Sequence, residues 1–189
     1  MEPLEALRRA TARYAQALAM VAPNEWGSPS TCSDWRVRDL ADHVVGGNRF
    51  AAALLAGHAT QDAYLAAFDG GFGDDPHREF DVSAAAQLTA FATAGSLDRL
   101  LPHPVGRISA RVFLGFRVGD LLLHGWDVAR SLGKEATLDE ELVSEVWHSP
   151  QPFREGVAMP GQFGVGPSGD VADDAPLADR LLDATGRRR

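Results

Sequence analysis

The stretch from Ser109 to Leu132 constrains this chain more than any other. It reads Ser-Ala-Arg-Val-Phe-Leu-Gly-Phe-Arg-Val-Gly-Asp-Leu-Leu-Leu-His-Gly-Trp-Asp-Val-Ala-Arg-Ser-Leu, with Gly133 as a stop. Apolar residues fall on every side of a helical wheel, and a helix apolar all round is buried. Asp120 and His124 lie inside it. A buried carboxylate and imidazole cost free energy unless something pairs with them. Four residues turn a helix by about 400°, so the two side chains leave one face a turn apart. Two readings satisfy them. One is an Asp–His hydrogen bond within the helix. The other is half of a metal site. Asp127 continues the same stripe and either orients the His124 ring or pairs with Arg130 or Arg117.

The rest of the chain predicts an all-α domain spanning residues 1–189, with about four main helices and short extra ones. A first helix runs from Pro3 to Val21, with Leu4, Leu7, Tyr14 and Leu18 at helical spacing. A second begins near Cys32-Ser33-Asp34-Trp35, capped by Ser33 or Asp34, and ends at Gly57. A third covers Ser83 to Ala94. A shorter one starts at Thr137, where Thr137-x-x-Glu140 fits a capping box. The last starts at Asp174-Ala175-Pro176 and stops at Gly186. Between them the pattern weakens from Gly57 to Phe80. Pro102-His103-Pro104-Val105-Gly106 reads as a rigid connector. The prolines and glycines between Ser149 and Pro176 read as an irregular cover over the bundle. No segment alternates apolar and polar residues long enough to predict a strand.

His43 falls near Leu40, Gly47, Phe50 and Leu54 on the second helix's wheel. Gly46-Gly47 in a helix costs about 1 kcal/mol per glycine relative to alanine, which implies close approach of a neighbour or ligand. Taken alone, His43 reads as a core or boundary histidine. Beside Asp120 and His124 it becomes a third ligand from another helix, and three protein ligands leave a position open, as in catalytic zinc sites. His103 either lines a pocket or sits on a surface loop. Cys32 is either a thiol near a helix start, with a lowered pKa, or a small packing residue. Arg187-Arg188-Arg189 reads as a solvated, frayed terminus.

Composition excludes several partners. The formal net charge is -8, which argues against nucleic acid and anionic membranes. One cysteine permits no internal disulfide and fits a reducing, cytoplasmic setting. The N-terminus has no signal-peptide pattern, and no run approaches the length of a membrane span.

Three stretches carry a family resemblance. Thr31-Cys32-Ser33-Asp34-Trp35 with Val37-Arg38-Asp39-Leu40-x-x-His43-Val44-Val45-Gly46-Gly47 resembles the start of the metal-binding domain of mycothiol-dependent maleylpyruvate isomerases. Phe116-Arg117-Val118-Gly119-Asp120-Leu121-x-x-His124-Gly125-Trp126-Asp127-Val128-Ala129 resembles the second motif of that group. The tail from Asp173 to Arg187 is similar to the ending of a small actinobacterial branch. The resemblance implies a DinB-like four-helix bundle and metal ligands at His43, Asp120 and His124, with Asp127 behind them. The isomerase proper carries glutamate where this chain has Asp120. It also has a C-terminal domain that this chain is expected to lack, so maleylpyruvate isomerisation itself is not the expected reaction.

The expected function is therefore that of a divalent-metal protein, zinc first, that uses mycothiol or a similar small thiol as a transferase or isomerase on a small electrophile. The alternatives are a metal-dependent small-molecule hydrolase and a non-catalytic metal- or ligand-binding helical protein. A monomer or homodimer is expected.

Overall fold

The computed structural model describes residues 1–32, 34–69, 71, 73–149 and 167–188. Helix α1 spans Pro3–Leu18, α2 Val37–Ala56, α3 Thr60–Phe68, α4 Pro76–Ala92, α5 Ala110–Ser131, α6 Glu140–His148 and α7 Leu177–Ala184. A 3-10 turn (Ser96–Asp98) and a hairpin of β1 (Leu100–His103) and β2 (Gly106–Ser109) lie between α4 and α5. Among the described residues the all-α expectation holds, with this hairpin as the one two-stranded exception.

Four helices close a ring. α1 packs on α5 and α4, and α2 packs on α4 and α5. Leu7, Tyr14 and Leu18 of α1 meet Leu40, Val44 and Leu54 of α2, Phe80 and Phe91 of α4, and Leu121 and Leu123 of α5 in one core. α5 is buried on nearly all sides, as its composition requires, because α1, α2, α6 and the 3-10 turn all lie against it. No helix among the described residues is long and apolar enough to cross a membrane.

Several boundaries differ from the sequence expectation. α2 starts at Val37, not near Cys32: Asp34 has φ +68°, and the chain on its two sides is joined by Val37 N–H to Ser28 O (3.0 Å) and Ser30 N–H to Trp35 O (2.9 Å). Asp39 then accepts from Arg36 N–H at 2.8 Å, and Ser33 lies outside the described residues. α4 starts at Pro76, earlier than Ser83. Asp75 caps it by accepting from Arg78 N–H (3.1 Å), and proline suits the first turn. Ser83 is instead buried and bonded to Asn48. Asp139, not Thr137, caps α6, because its carboxylate accepts from Leu142 N–H (3.3 Å) while also binding Arg9 and Arg13 of α1.

The expected connector at Pro102–Gly106 is a hairpin. Pro102 pairs with Arg107 and His103 with Gly106. Strands this short carry no readable alternation, and an edge strand tolerates the missing proline N–H. The irregular cover expected at 149–176 falls mostly outside the described residues. α7 ends as expected at Gly186, whose φ of +75° turns the chain back.

Candidate metal centre

Two helices and two loops supply the site. α2 brings His43, and α5 brings Arg117, Asp120, His124 and Asp127. The loop before α2 brings Thr31, Cys32 and Trp35, and the chain beyond α7 brings Arg187. Helical spacing on α5 aligns its two carboxylates and its histidine in the order Asp120, His124, Asp127.

His124 is held at both ends. Its Nδ1 lies 2.9 Å from Asp127 Oδ2 and its Nε2 lies 3.3 Å from Asp120 Oδ1. A carboxylate only accepts, so Nδ1 carries the proton it gives to Asp127. At Nε2 the ring then meets a second carboxylate. That contact is favourable only with a second proton on the ring or a cation between the two atoms. His43 Nε2 lies 3.2 Å from the same Asp120 oxygen. The donor atoms of His43, Asp120 and His124 all lie within 4.8 Å of one another.

The other oxygen of Asp120 is taken. Arg117 Nη1 bonds Oδ2, and the rest of that guanidinium is bound by Gln87 Oε1 (2.8 Å), Asn48 Oδ1 (3.0 Å) and Val44 O (3.3 Å). This grip aims Oδ1 at the two histidines. It also explains Gly47: a Cβ there would sit 2.3 Å from Arg117 Nη1. Gly46 is constrained in the same way by the Phe68 ring, also at 2.3 Å. The close approach inferred from the glycine pair is real, and its cause is neighbouring side chains.

Asp127 is saturated. Its Oδ1 accepts from Thr31 Oγ1 (3.0 Å) and Arg187 Nε (2.9 Å). Its Oδ2 accepts from Arg187 Nη2 (2.6 Å) and His124, with Cys32 Sγ at 3.4 Å. Cys32, His124 and Asp127 also cluster closely enough to hold an ion. The Arg187 guanidinium already supplies the positive charge there, whereas Asp120 Oδ1 receives no guanidinium donor among the described residues.

Burial and charge act against each other here. Burial alone would raise the Asp120 carboxyl, but Arg117, His43 and His124 outweigh it and hold it well below the usual range. Burial would lower the His124 pKa, but Asp120 and Asp127 raise it well above the usual value. Asp127 follows Asp120: burial opposes, and Arg187 with His124 pulls it down. Tyr14, fully buried behind the site, is pushed up by burial and then by the two carboxylates.

Access comes from the His43 side. The His43 side chain is 25% exposed, against 9% for Asp120 and 1% for His124. Half-buried Trp35 lies beside both rings, at 5.0 Å from His43 and 6.1 Å from His124. Phe68 flanks His43 at 6.3 Å.

The structure thus brings together His43, Asp120, His124 and Asp127, as the sequence anticipated. It corrects three other expectations. Arg187 is no frayed end: it is 8% exposed and bound to Asp127. Asp127 does face the His124 ring, as one of its two readings had it, but the arginine it pairs with is Arg187, while Arg117 serves Asp120. His103 is half-buried among Phe50, Phe113 and Phe116. Its Nδ1 accepts from Val105 N–H (3.3 Å), and burial pushes its pKa down to about 4. The readable hint for Arg187 was Thr185-Gly186, a glycine break after an apolar helical turn.

Residues 7–129 match the family model described as the mycothiol maleylpyruvate isomerase N-terminal domain. Two uncharacterized proteins of Mycobacterium tuberculosis, from strains ATCC 25618 / H37Rv and CDC 1551 / Oshkosh, are each 33% identical over 197 residues, covering 99% of this chain and 98% of theirs. Crystal structures of the mycothiol-dependent maleylpyruvate isomerase and of a histidine-to-alanine mutant superpose with TM-scores of 0.60 and 0.64 at 18% identity. The match covers 76% of this chain and 66% of that one, so this chain spans just under two thirds of the isomerase's length. Such a likeness speaks for the fold, a DinB-like helical bundle. On the family match over 7–129 and the full-length relatives, the chain belongs to the mycothiol maleylpyruvate isomerase N-terminal domain family.

Proposed function

We propose that this protein holds a divalent ion, zinc first, on His43, Asp120 and His124, and works as a mycothiol-dependent transferase or isomerase on a small electrophile. One observation carries the reading: Asp120 Oδ1 faces two imidazole Nε2 atoms, at 3.2 and 3.3 Å, with nothing but a shared cation able to satisfy all three at once when the rings are neutral. The donor set fits zinc, which takes mixed imidazole and carboxylate ligands. Family membership supports the thiol.

When bound, such an ion supplies a Lewis acid that keeps a coordinated thiol ionised at neutral pH. The chain's own residues do the rest. Arg117 fixes Asp120 so that one oxygen points at the histidines. Asp127 fixes the His124 tautomer and leaves the Nε2 lone pair free. Trp35 and Phe68 wall the site and exclude water, while the exposed edge of His43 marks the way in. A thiolate placed there adds to one carbon of an activated C=C bond: its electron pair forms the C–S bond, the π bond breaks, and its pair moves to the neighbouring carbon. Taking up a proton from water at that carbon completes transfer, whereas rotation about the new single bond and re-formation of the C=C with expulsion of the thiolate is isomerisation.

The test is a panel of small electrophiles offered with mycothiol to zinc-loaded protein. Thiol- and zinc-dependent consumption of at least one compound, abolished in Asp120→Ala, is expected. No such consumption across a broad panel contradicts the enzyme reading. Turnover that needs zinc but no thiol replaces it with a hydrolase.

A further inference from the structure

Asp127 is 0% exposed and Arg187 nearly so, and the two lie 60 residues apart in sequence. We infer that Arg187 is a positioning residue: its two-pronged grip on Asp127 fixes the His124 ring, so the C-terminal end of the chain sets the affinity of the ion site. This rests on the metal reading above.

The arginine is anchored, not draped. Leu181 and Leu182 of α7 are buried. Thr185 Oγ1 donates to Leu181 O at 2.8 Å, and Arg187 N–H donates to Leu182 O at 2.8 Å across the turn at Gly186. The side chain therefore enters the site from a fixed backbone. Its Nε and Nη2 each donate to one oxygen of Asp127, at 2.9 and 2.6 Å. A planar fork meeting a carboxylate along both oxygens fixes the plane of that carboxylate. Asp127 cannot turn away from His124 Nδ1 without breaking both bonds. The ring angle, and so the direction of Nε2, follows from the arginine.

The grip also has an electrostatic consequence. A lone buried carboxylate at 2.9 Å would draw the Nδ1 proton strongly. With the guanidinium sharing its charge, Asp127 accepts the hydrogen bond and leaves the proton on the ring. With the Nδ1 proton fixed in this way, Nε2 is the nitrogen left to bind an ion.

Partners that orient a metal-binding histidine typically change affinity about 10–100-fold when removed. The experiment compares wild type with Arg187→Ala, Arg187→Lys and Arg188→Ala. Zinc affinity is read by competition with a chromophoric chelator. On metal-free protein, the downfield Nδ1–H resonance of His124 is read by proton NMR. Arg187→Ala should weaken zinc about 10–100-fold and lose the slowly exchanging Nδ1–H signal. Arg187→Lys, which keeps the charge but not the fork, should recover part of both. Arg188→Ala, which removes an exposed side chain whose described ion pair is with Asp183 and not with Asp127, should match wild type. A lowered melting temperature in Arg187→Ala with unchanged zinc affinity and ring signal overturns the inference and leaves Arg187 a tether. If Arg187→Ala does not fold, Arg187→Lys decides: wild-type affinity with an unchanged ring signal overturns it. If wild type itself binds no zinc, the proposed function fails, and the ring signal alone still decides the role of Arg187.

Discussion

Asp120 and Asp127 stand on either side of one imidazole, and both are buried and bound to an arginine. They differ in what is left over. Asp120 spends one oxygen on Arg117 and points the other at two ring nitrogens. Asp127 has both oxygens filled by Arg187, Thr31 and His124. The same residue types thus make an open ligand at one end of His124 and a closed brace at the other. Counting donors, not residue types, separates them, and the proposed ion site between α2 and α5, in preference to the cluster beside Cys32, rests on that count.

The comparison can be broken first by neutralising each carboxylate. Asp127→Asn removes the charge that pairs with the buried Arg187 guanidinium and leaves it one amide oxygen and Thr185 O as acceptors. Removing one partner of a buried pair costs about 3–5 kcal/mol. Asp120→Asn leaves Arg117 three other acceptors, so its cost should be smaller, about 1–3 kcal/mol. Denaturant unfolding of the metal-free variants checks the order. Ion binding should show the reverse, with the greater loss at Asp120. Equal effects in both assays would erase the distinction.

Gly47→Ala sharpens the open side without touching a ligand. Its Cβ would meet Arg117 at 2.3 Å, and overpacking of this kind costs about 1–3 kcal/mol. Displacing Arg117 turns Asp120, so zinc affinity should fall as well. Gly125→Ala on α5 meets only ordinary contacts at 3.7 Å or beyond and should leave both properties near wild type.

Acidity supplies two smaller tests. The metal-free protein holds His124 with a raised pKa. The stability this contributes is fully present below the unfolded value near 6.5 and is lost as pH rises through the elevated folded value. The alkaline loss in thermal unfolding should shrink in Asp120→Ala, which removes the main charge that raises it. His103 works in the opposite sense. Its folded pKa is about 4, below the unfolded value, so the unfolded chain takes up the proton first as pH falls from about 6.5 toward 4. Stability should drop over that window by about 1 kcal/mol, allowing for the ring's partial exposure. His103→Phe should flatten it.

Much of this was readable from single residues. Burial of α5 followed from its composition, and the stripe of Asp120, His124 and Asp127 from helical spacing. His43 was placed near the apolar side by its wheel position and beside Asp120 and His124 by the family resemblance, while Gly46-Gly47 answered to Phe68 and Arg117. What escaped was long-range or short-ranged in the wrong way. The hairpin at Leu100–Ser109 is too brief to alternate. The start of α2 depends on a backbone turn at Asp34 that residue types do not announce. Arg187 resembles any basic tail until the turn at Gly186 carries it inward, and the choice between Arg117 and Arg187 as partners is set by tertiary packing.

The most direct measurement is elemental analysis of untagged wild-type protein beside Asp120→Ala and Cys32→Ala. About one divalent ion per chain is expected in wild type, lost in Asp120→Ala and kept in Cys32→Ala. An ion kept in Asp120→Ala but lost in Cys32→Ala would move the site to the other side of His124. No ion in wild type after reconstitution with zinc, nickel and manganese would mean that a second proton on His124, not a metal, joins the two carboxylates.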